Sequence, residues 1–249
     1  MCTDCGCGLP THHHPANPLA PHGHSDAPPL RILNMRKWLL DGNHRSADQL
    51  RARYRTLALG CVRLISSPGS GKTELLARSA QHLGDRLPMA AVVGDLATDL
   101  DAARMRPFMR GPVTQIATGR ACHLDAAEVG RVVDGMDLRG IRLLAIEDVG
   151  NLVCPAEFDL GEDARVVLVS TTEGEDKPLK YLPTFATAHV VLITKIDLAA
   201  ATGCDLERLE NNVRSAAPHA RILRVSSRSG EGLAEWTDFL TTLSRPVPV

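Results

Sequence analysis

The eight residues SSPGSGKT, Ser66 to Thr73, constrain this chain more than any other stretch. They follow the apolar run CVRLI and lead straight into ELLARSAQHLG, so a strand, a glycine-rich turn and a helix are expected in that order. A turn so placed is a phosphate loop. Ser67, Pro68, Gly69, Ser70 and Gly71 would wrap main chain around a phosphate, and the two glycines lack the Cβ atoms that would block its approach. The helix start adds unpaired N–H groups and a favourable dipole. Lys72 is placed to neutralise β- and γ-phosphates, and Thr73 to offer its hydroxyl to Mg²⁺. Ser66 stands where the motif usually has its first glycine.

From Cys61 onward, short apolar runs alternate with helical patterns. CVRLIS, MAAVVGD, RLLAIE, RVVLVS, HVVLIT and RILRVS read as buried strands. Leu75, Leu76, Ala80 and Leu83, and later Leu233, Trp236, Leu240 and Leu243, have helical spacing. Continuous apolar strands separated by helices imply an α/β fold, a P-loop NTPase with a mostly parallel sheet flanked by helices. Aromatic residues make up only 3%, so the core must be built from Leu, Val and Ala. Ligands of such sheets bind beyond the carboxyl ends of the strands.

Upstream, Ser46-Ala47-Asp48-Gln49 fits a capping box that would open a helix with Leu50, Tyr54 and Leu57 on one face. Residues 1–30 hold six prolines, five histidines and three cysteines, with too few large apolar side chains to bury a core. The expected organisation is a disordered Cys/His-rich metal-binding tail over 1–30, then one P-loop domain over 31–249 with a helical N-terminal segment.

The base is indicated by TKID, Thr194 to Asp197, directly after an apolar strand. A fixed carboxylate at Asp197 can accept both N1–H and the exocyclic amino group of guanine, and adenine offers no matching pair of donors. Lys195 would lie along the base plane. In RVSSRSGEGL, Ser226 and Ser227 are candidates for a backbone amide that reads guanine O6. Asp95 and Glu147 end their strands where Mg²⁺ and the γ-phosphate would lie. Asp95 is a candidate Mg²⁺ ligand or water-positioning group. Glu147 and Gly150 form a candidate γ-phosphate switch, and Lys72, Asp95 and Glu147 are the candidate catalytic set.

With 28 basic against 29 acidic side chains, the chain has no nucleic-acid footprint. No apolar run approaches the roughly 20 residues that span a bilayer, and no basic-then-apolar leader opens the sequence, so no membrane partner is expected. A cytoplasmic protein keeps its thiols reduced, which turns attention to metals. Cys122-His123 in TGRACHLDA and Cys154 in NLVCP supply ligand types suited to Zn²⁺ or Ni²⁺. Because Cys154 follows Glu147, a metal held by these three would be tied to the nucleotide state. The opening MCTDCGC places Cys2, Cys5 and Cys7 too close together for unstrained pairing, and three thiolates are one ligand short of a closed zinc site. The α-amine could be the fourth ligand of a square-planar Ni²⁺ site.

In order along the chain, MCTDCGC with its His-rich tail, ISSPGSGKT, VVGD, DAAR, TGRACHLDA, EDVGNLVCP, TTEGEDKPLKY, TKIDL and SSRSGEGL resemble the HypB family. These are hydrogenase nickel-incorporation GTPases, of the P-loop class that also contains signal-recognition and MinD-type proteins. The resemblance implies GTP hydrolysis coupled to delivery of Ni²⁺ into the large-subunit precursor of [NiFe]-hydrogenase. It also implies a homodimer formed on GTP or metal binding, and a HypA-type metallochaperone as partner. On the same resemblance, Cys122, His123 and Cys154 would be the Ni/Zn ligands of the GTPase domain, and Cys2, Cys5 and Cys7 the tighter nickel site. Lys177 and Lys180, in TTEGEDKPLKY, would lie near the nucleotide or across a dimer. Slow turnover is expected, since no activating arginine finger is evident. The chain departs from the family where Asp148 replaces the common Asn of ENVG and where Thr194 replaces Asn of NKxD. A urease-type nickel accessory GTPase, an ATP-dependent small-molecule kinase and a nickel store are the competing readings.

Overall fold

Runs of Val, Ile, Leu and Ala become the strands of one seven-stranded sheet in the computed structural model, which describes residues 30–95, 99–119 and 121–245. Cys2, Cys5 and Cys7, and the tail assigned to 1–30 up to residue 29, lie outside the described residues. Helix α1 (Leu30–Thr56) leads to β1 (Gly60–Ser66), α2 (Lys72–Leu83), β2 (Met89–Asp95), α3 (Leu100–Met105), β3 (Val113–Ala117), α4 (Ala126–Gly135) and β4 (Leu143–Glu147). Then come β5 (Ala164–Ser170), α5 (Lys177–Lys180), α6 (Leu182–Ala186), β6 (Val190–Thr194), α7 (Ala199–Thr202), α8 (Leu206–Ala216), β7 (Arg221–Val225) and α9 (Leu233–Thr242). The strand order is β3-β2-β4-β1-β5-β6-β7, and every pairing is parallel. No helix among the described residues is long and apolar enough to cross a membrane.

All seven residues of β1 are buried, as a strand covered on both faces requires. Leu75, Leu76, Ala80, Trp236 and Leu240 pack on one side of the sheet, and Leu50, Tyr54, Val129 and Val133 on the other. Trp236 Nε1 donates to Ser79 Oγ at 2.8 Å, which satisfies the one polar atom of the largest core side chain.

Two expectations need correction. No helix starts at Ser46: α1 already runs from Leu30, and Ser46 Oγ donates back to Gly42 O at 3.3 Å within it. A capping-box sequence is compatible with a helix interior because a serine hydroxyl can bond the carbonyl four residues earlier. The strand VTQIA was not expected; it forms the edge strand β3, mostly half-buried, and so lacks a continuous apolar signal.

The loop before β5 binds α1 to the sheet through charges. Arg51 pairs with Asp159, Asn43 Nδ2 donates to Asp159 O at 2.8 Å, and Glu162 meets Arg165 at 2.8 Å and Arg63 at 3.6 Å. Burial opposes ionisation of Glu162, but Arg63 and Arg165 hold its carboxyl down to about 2 from 4.5. A depressed carboxyl stabilises the fold above its unfolded value and loses that contribution as pH falls through the folded one. The stability difference between the protein and its Glu162→Gln variant, read from urea midpoints, should therefore narrow by roughly 3 kcal/mol between about pH 5 and pH 2. A difference that stays constant over that range would show that the pair does not act this way.

Candidate functional site

Ser66, Asp95, Glu147, Ser170, Thr194 and Val225 each end a strand, so the carboxyl edge of the sheet gathers residues scattered over the sequence. β1 lies between β4 and β5, and the phosphate loop leaves its end at the middle of that edge. Gly69 and Gly71 have φ of +76° and +97°, values that only glycine adopts without strain. Lys72 opens α2, is buried, and donates from Nζ to Ser66 Oγ at 3.0 Å. Desolvation lowers its pKa against the pull of Glu147. A buried ammonium with a single hydroxyl partner is suited to receiving phosphate oxygens.

Thr73 Oγ1 donates to Glu147 Oε1 at 2.8 Å, and Glu147 Oε2 is buried without a hydrogen-bond partner. Burial raises the Glu147 carboxyl to about 7; Lys72 and Thr73 oppose the rise, while Asp101 and Asp95 add to it. An orphaned carboxylate oxygen beside a hydroxyl and within the field of Asp95 is a set of hard oxygen donors that fits Mg²⁺. Gly150 lies directly against the phosphate loop. A Cβ there would come within 2.9 Å of Pro68 Cα, so the segment after β4 touches the loop through a residue with no side chain.

The residues expected to read the base brace the same loop. Thr194 Oγ1 donates to Ser70 O at 2.8 Å, and Lys195 Nζ donates to Gly69 O at 2.7 Å. Lys195 has φ of 56°, and its carbonyl accepts from Thr171 Oγ1 at 2.8 Å. Asp197 follows, exposed, in a short 3₁₀ turn (Ile196–Leu198). Ser226 N–H is already given to Glu231 O at 2.9 Å, so of the two candidate serines its amide is committed inside the loop. Ser227 O accepts from Arg78 Nε at 3.1 Å, which fixes that loop to α2.

Sequence reasoning missed Glu173. It accepts from Ser70 Oγ at 2.6 Å and from Ser170 N–H at 3.2 Å, so a carboxylate in the turn after β5 supports the phosphate loop. Its other oxygen pairs with Lys177 at 3.3 Å, whereas Lys180 pairs with Asp176 at 2.6 Å and is exposed. Of the two lysines, Lys177 is the one linked to the loop. The TTEGEDK stretch pointed to this region but not to its acid.

Cys122, His123 and Cys154 converge. Their ligand atoms lie within 4.8 Å of one another, with the two sulfurs 2.7 Å apart and Cys122 Sγ 3.9 Å from His123 Nδ1. The His123 ring stacks on Phe158 with centroids 3.8 Å apart. Burial lowers its pKa against the pull of Asp148, favouring the neutral ring that binds metals. Asn151 Nδ2 donates to Cys122 O at 3.2 Å, and Asn151 Oδ1 accepts from Val153 N–H at 2.9 Å, tying the two loops together. Cys61, by contrast, is fully buried in the core with its thiol pKa pushed up by burial.

Residues 61–224 match the family described as CobW/HypB/UreG, nucleotide-binding domain. The hydrogenase maturation factor HypB of Azotobacter vinelandii is 48% identical over 206 residues, spanning 83% of this chain and 68% of that protein. The crystal structure of hydrogenase maturation factor HypB from Archaeoglobus fulgidus superposes with a TM-score of 0.76 at 36% identity, covering 82% of this chain and 98% of that one. The structure of HypB from Helicobacter pylori in complex with nickel gives a TM-score of 0.76 at 33% identity, covering 84% and 99%.

Proposed function

The chain belongs to the CobW/HypB/UreG family and, within it, to the hydrogenase maturation factors HypB, and on that footing we propose that it is a GTPase that carries nickel as cargo for [NiFe]-hydrogenase. One observation carries this reading. The segment 147–154 starts at Glu147, hydrogen-bonded to Thr73 of the phosphate loop, and ends at Cys154, whose sulfur lies beside that of Cys122. Nucleotide and metal sites therefore share eight residues of main chain.

In the proposed reaction, Ser67 to Gly71 wrap the phosphates, Lys72 neutralises them, and Asp197 with Lys195 and Ser227 reads guanine. Thr73, Asp95 and Glu147 would hold Mg²⁺, which would supply positive charge to offset that of the phosphates. Asp95 positions the attacking water, and Gly150 senses the γ-phosphate at Pro68. Turnover is proposed to be slow, since no activating arginine finger is evident in the sequence. Hydrolysis releases the 147–154 segment, moves Cys154 relative to Cys122 and His123, and lowers the hold on Ni²⁺; Zn²⁺ is accepted by the same donors. Cys2, Cys5 and Cys7 load the metal. A HypA-type metallochaperone, the hydrogenase large-subunit precursor and a second copy of the chain are the partners, in the cytoplasm.

Nickel titration of a Cys2/Cys5/Cys7→Ala protein tests the domain site. Adding Cys154→Ala should reduce thiolate-to-metal absorbance, leaving Cys122 as the one thiolate of the triad, and weaken binding by more than tenfold, since two ligands remain of three. In the parent, nickel affinity should differ by about 5–150-fold between GDP and a non-hydrolysable GTP analogue. Equal affinities with the two nucleotides would rule out coupling.

A further inference from the structure

Arg63 lies within the apolar run of β1, and Asp148 directly follows Glu147; both side chains are 0% exposed. An ion pair so buried is a weak source of stability, because desolvation offsets most of the Coulomb gain. Its connections indicate a different use. Asp148 Oδ2 accepts from Arg63 Nε at 2.8 Å and from Arg63 Nη2, while Oδ1 accepts from Leu124 N–H at 3.2 Å and Val149 N–H at 2.9 Å. Arg63 in turn donates to Pro155 O at 3.0 Å and to Phe158 O. Leu124 is next to His123, Pro155 is next to Cys154, and the Phe158 ring stacks on His123.

We propose that Arg63 and Asp148 are positioning residues of the metal site: one buried pair holds the Cys122-His123 loop and the Cys154 turn in the register that brings three ligand atoms together. The proposal rests on reading the triad as a nickel site. The Asp148 carboxylate is paired with Arg63 inside the fold. Four donors converge on its two oxygens, and only a carboxylate offers acceptors on both. An asparagine would turn an N–H₂ group toward either Arg63 or the Leu124 amide, releasing one half of the site.

The test is nickel affinity of the full chain carrying Cys2/Cys5/Cys7→Ala, by chelator competition, with the Co²⁺ d–d spectrum as a report on ligand geometry. Asp148→Asn should weaken nickel binding about 10–100-fold and alter the Co²⁺ spectrum. Arg63→Lys keeps the charge but not the forked contacts, and should do the same. Where a single variant fails to fold, the charge-neutral Arg63→Gln/Asp148→Asn pair is measured instead. In the parent, nickel should also slow hydrogen exchange of the Leu124 and Val149 amides. Folded variants that bind nickel within twofold of the parent, or unchanged exchange at those amides, would overturn the proposal. Cys154→Ala serves as the control: if it too keeps parental affinity, the nickel reading of the triad is what fails.

Discussion

Replacing Lys72 with alanine is expected to lower kcat/KM for GTP by about 10²–10³-fold while leaving the nucleotide-free fold intact. The two halves of that expectation have one cause. Lys72 Nζ is buried against the Ser66 hydroxyl, and desolvation lowers its pKa even though Glu147 is near. In the absence of nucleotide the ammonium is a desolvated cation with less charge around it than it needs. Truncation removes that cost along with the hydrogen bond, so the melting temperature without nucleotide should not fall. With nucleotide bound, the balance reverses, because the phosphate oxygens are the counter-charge that the site lacks. The variant should lose both phosphate release and the thermal stabilisation that GDP gives the parent. Unchanged turnover would remove Lys72 from the site. A sharp fall in the nucleotide-free melting temperature would make it a structural lysine instead.

The phosphate loop was legible because its chemistry is local: glycines at +76° and +97°, a lysine and a threonine have to follow one another between a strand and a helix. The central strands were legible for a similar reason, since burial on both faces leaves unbroken apolar runs such as that of β1. What escaped notice is contributed by tertiary structure. VTQIA, at the sheet edge, need not be apolar throughout. Ser46 obeys a capping rule and yet sits inside α1, because its hydroxyl has a second way to be satisfied. Glu173 reaches Ser70 across 103 positions, and Arg63 meets Asp148 across 85, so no window of sequence contains either pair. The donor types of Cys122, His123 and Cys154 could be read from the sequence. Their convergence depends on loops 32 positions apart.

Asp197→Asn should reduce GTP affinity by about 10²–10³-fold and confer binding of xanthosine triphosphate in its place. The carboxylate has two acceptors, and guanine presents two donors to it, N1–H and the 2-amino group. Asparagine has one acceptor and one donor, so its N–H₂ group would face the 2-amino group of guanine, leaving two donors opposed and one interaction lost outright. Xanthine carries a carbonyl at that position and keeps N1–H, so it matches the asparagine. The surroundings argue that the effect will be confined to the base. Asp197 is exposed, and its turn is held by contacts of its neighbours: Thr194 and Lys195 to the phosphate loop, Thr171 to the Lys195 carbonyl. None of these involves the substituted atom, so the loop should remain formed and the melting temperature unchanged. Competition of GTP, ATP and xanthosine triphosphate against a fluorescent nucleotide measures the outcome. Adenine offers a donor only at its 6-amino group and has no N1–H, so ATP should gain nothing from the change. A variant that still prefers GTP, or that loses all three nucleotides together, would show that Asp197 does not contact the base.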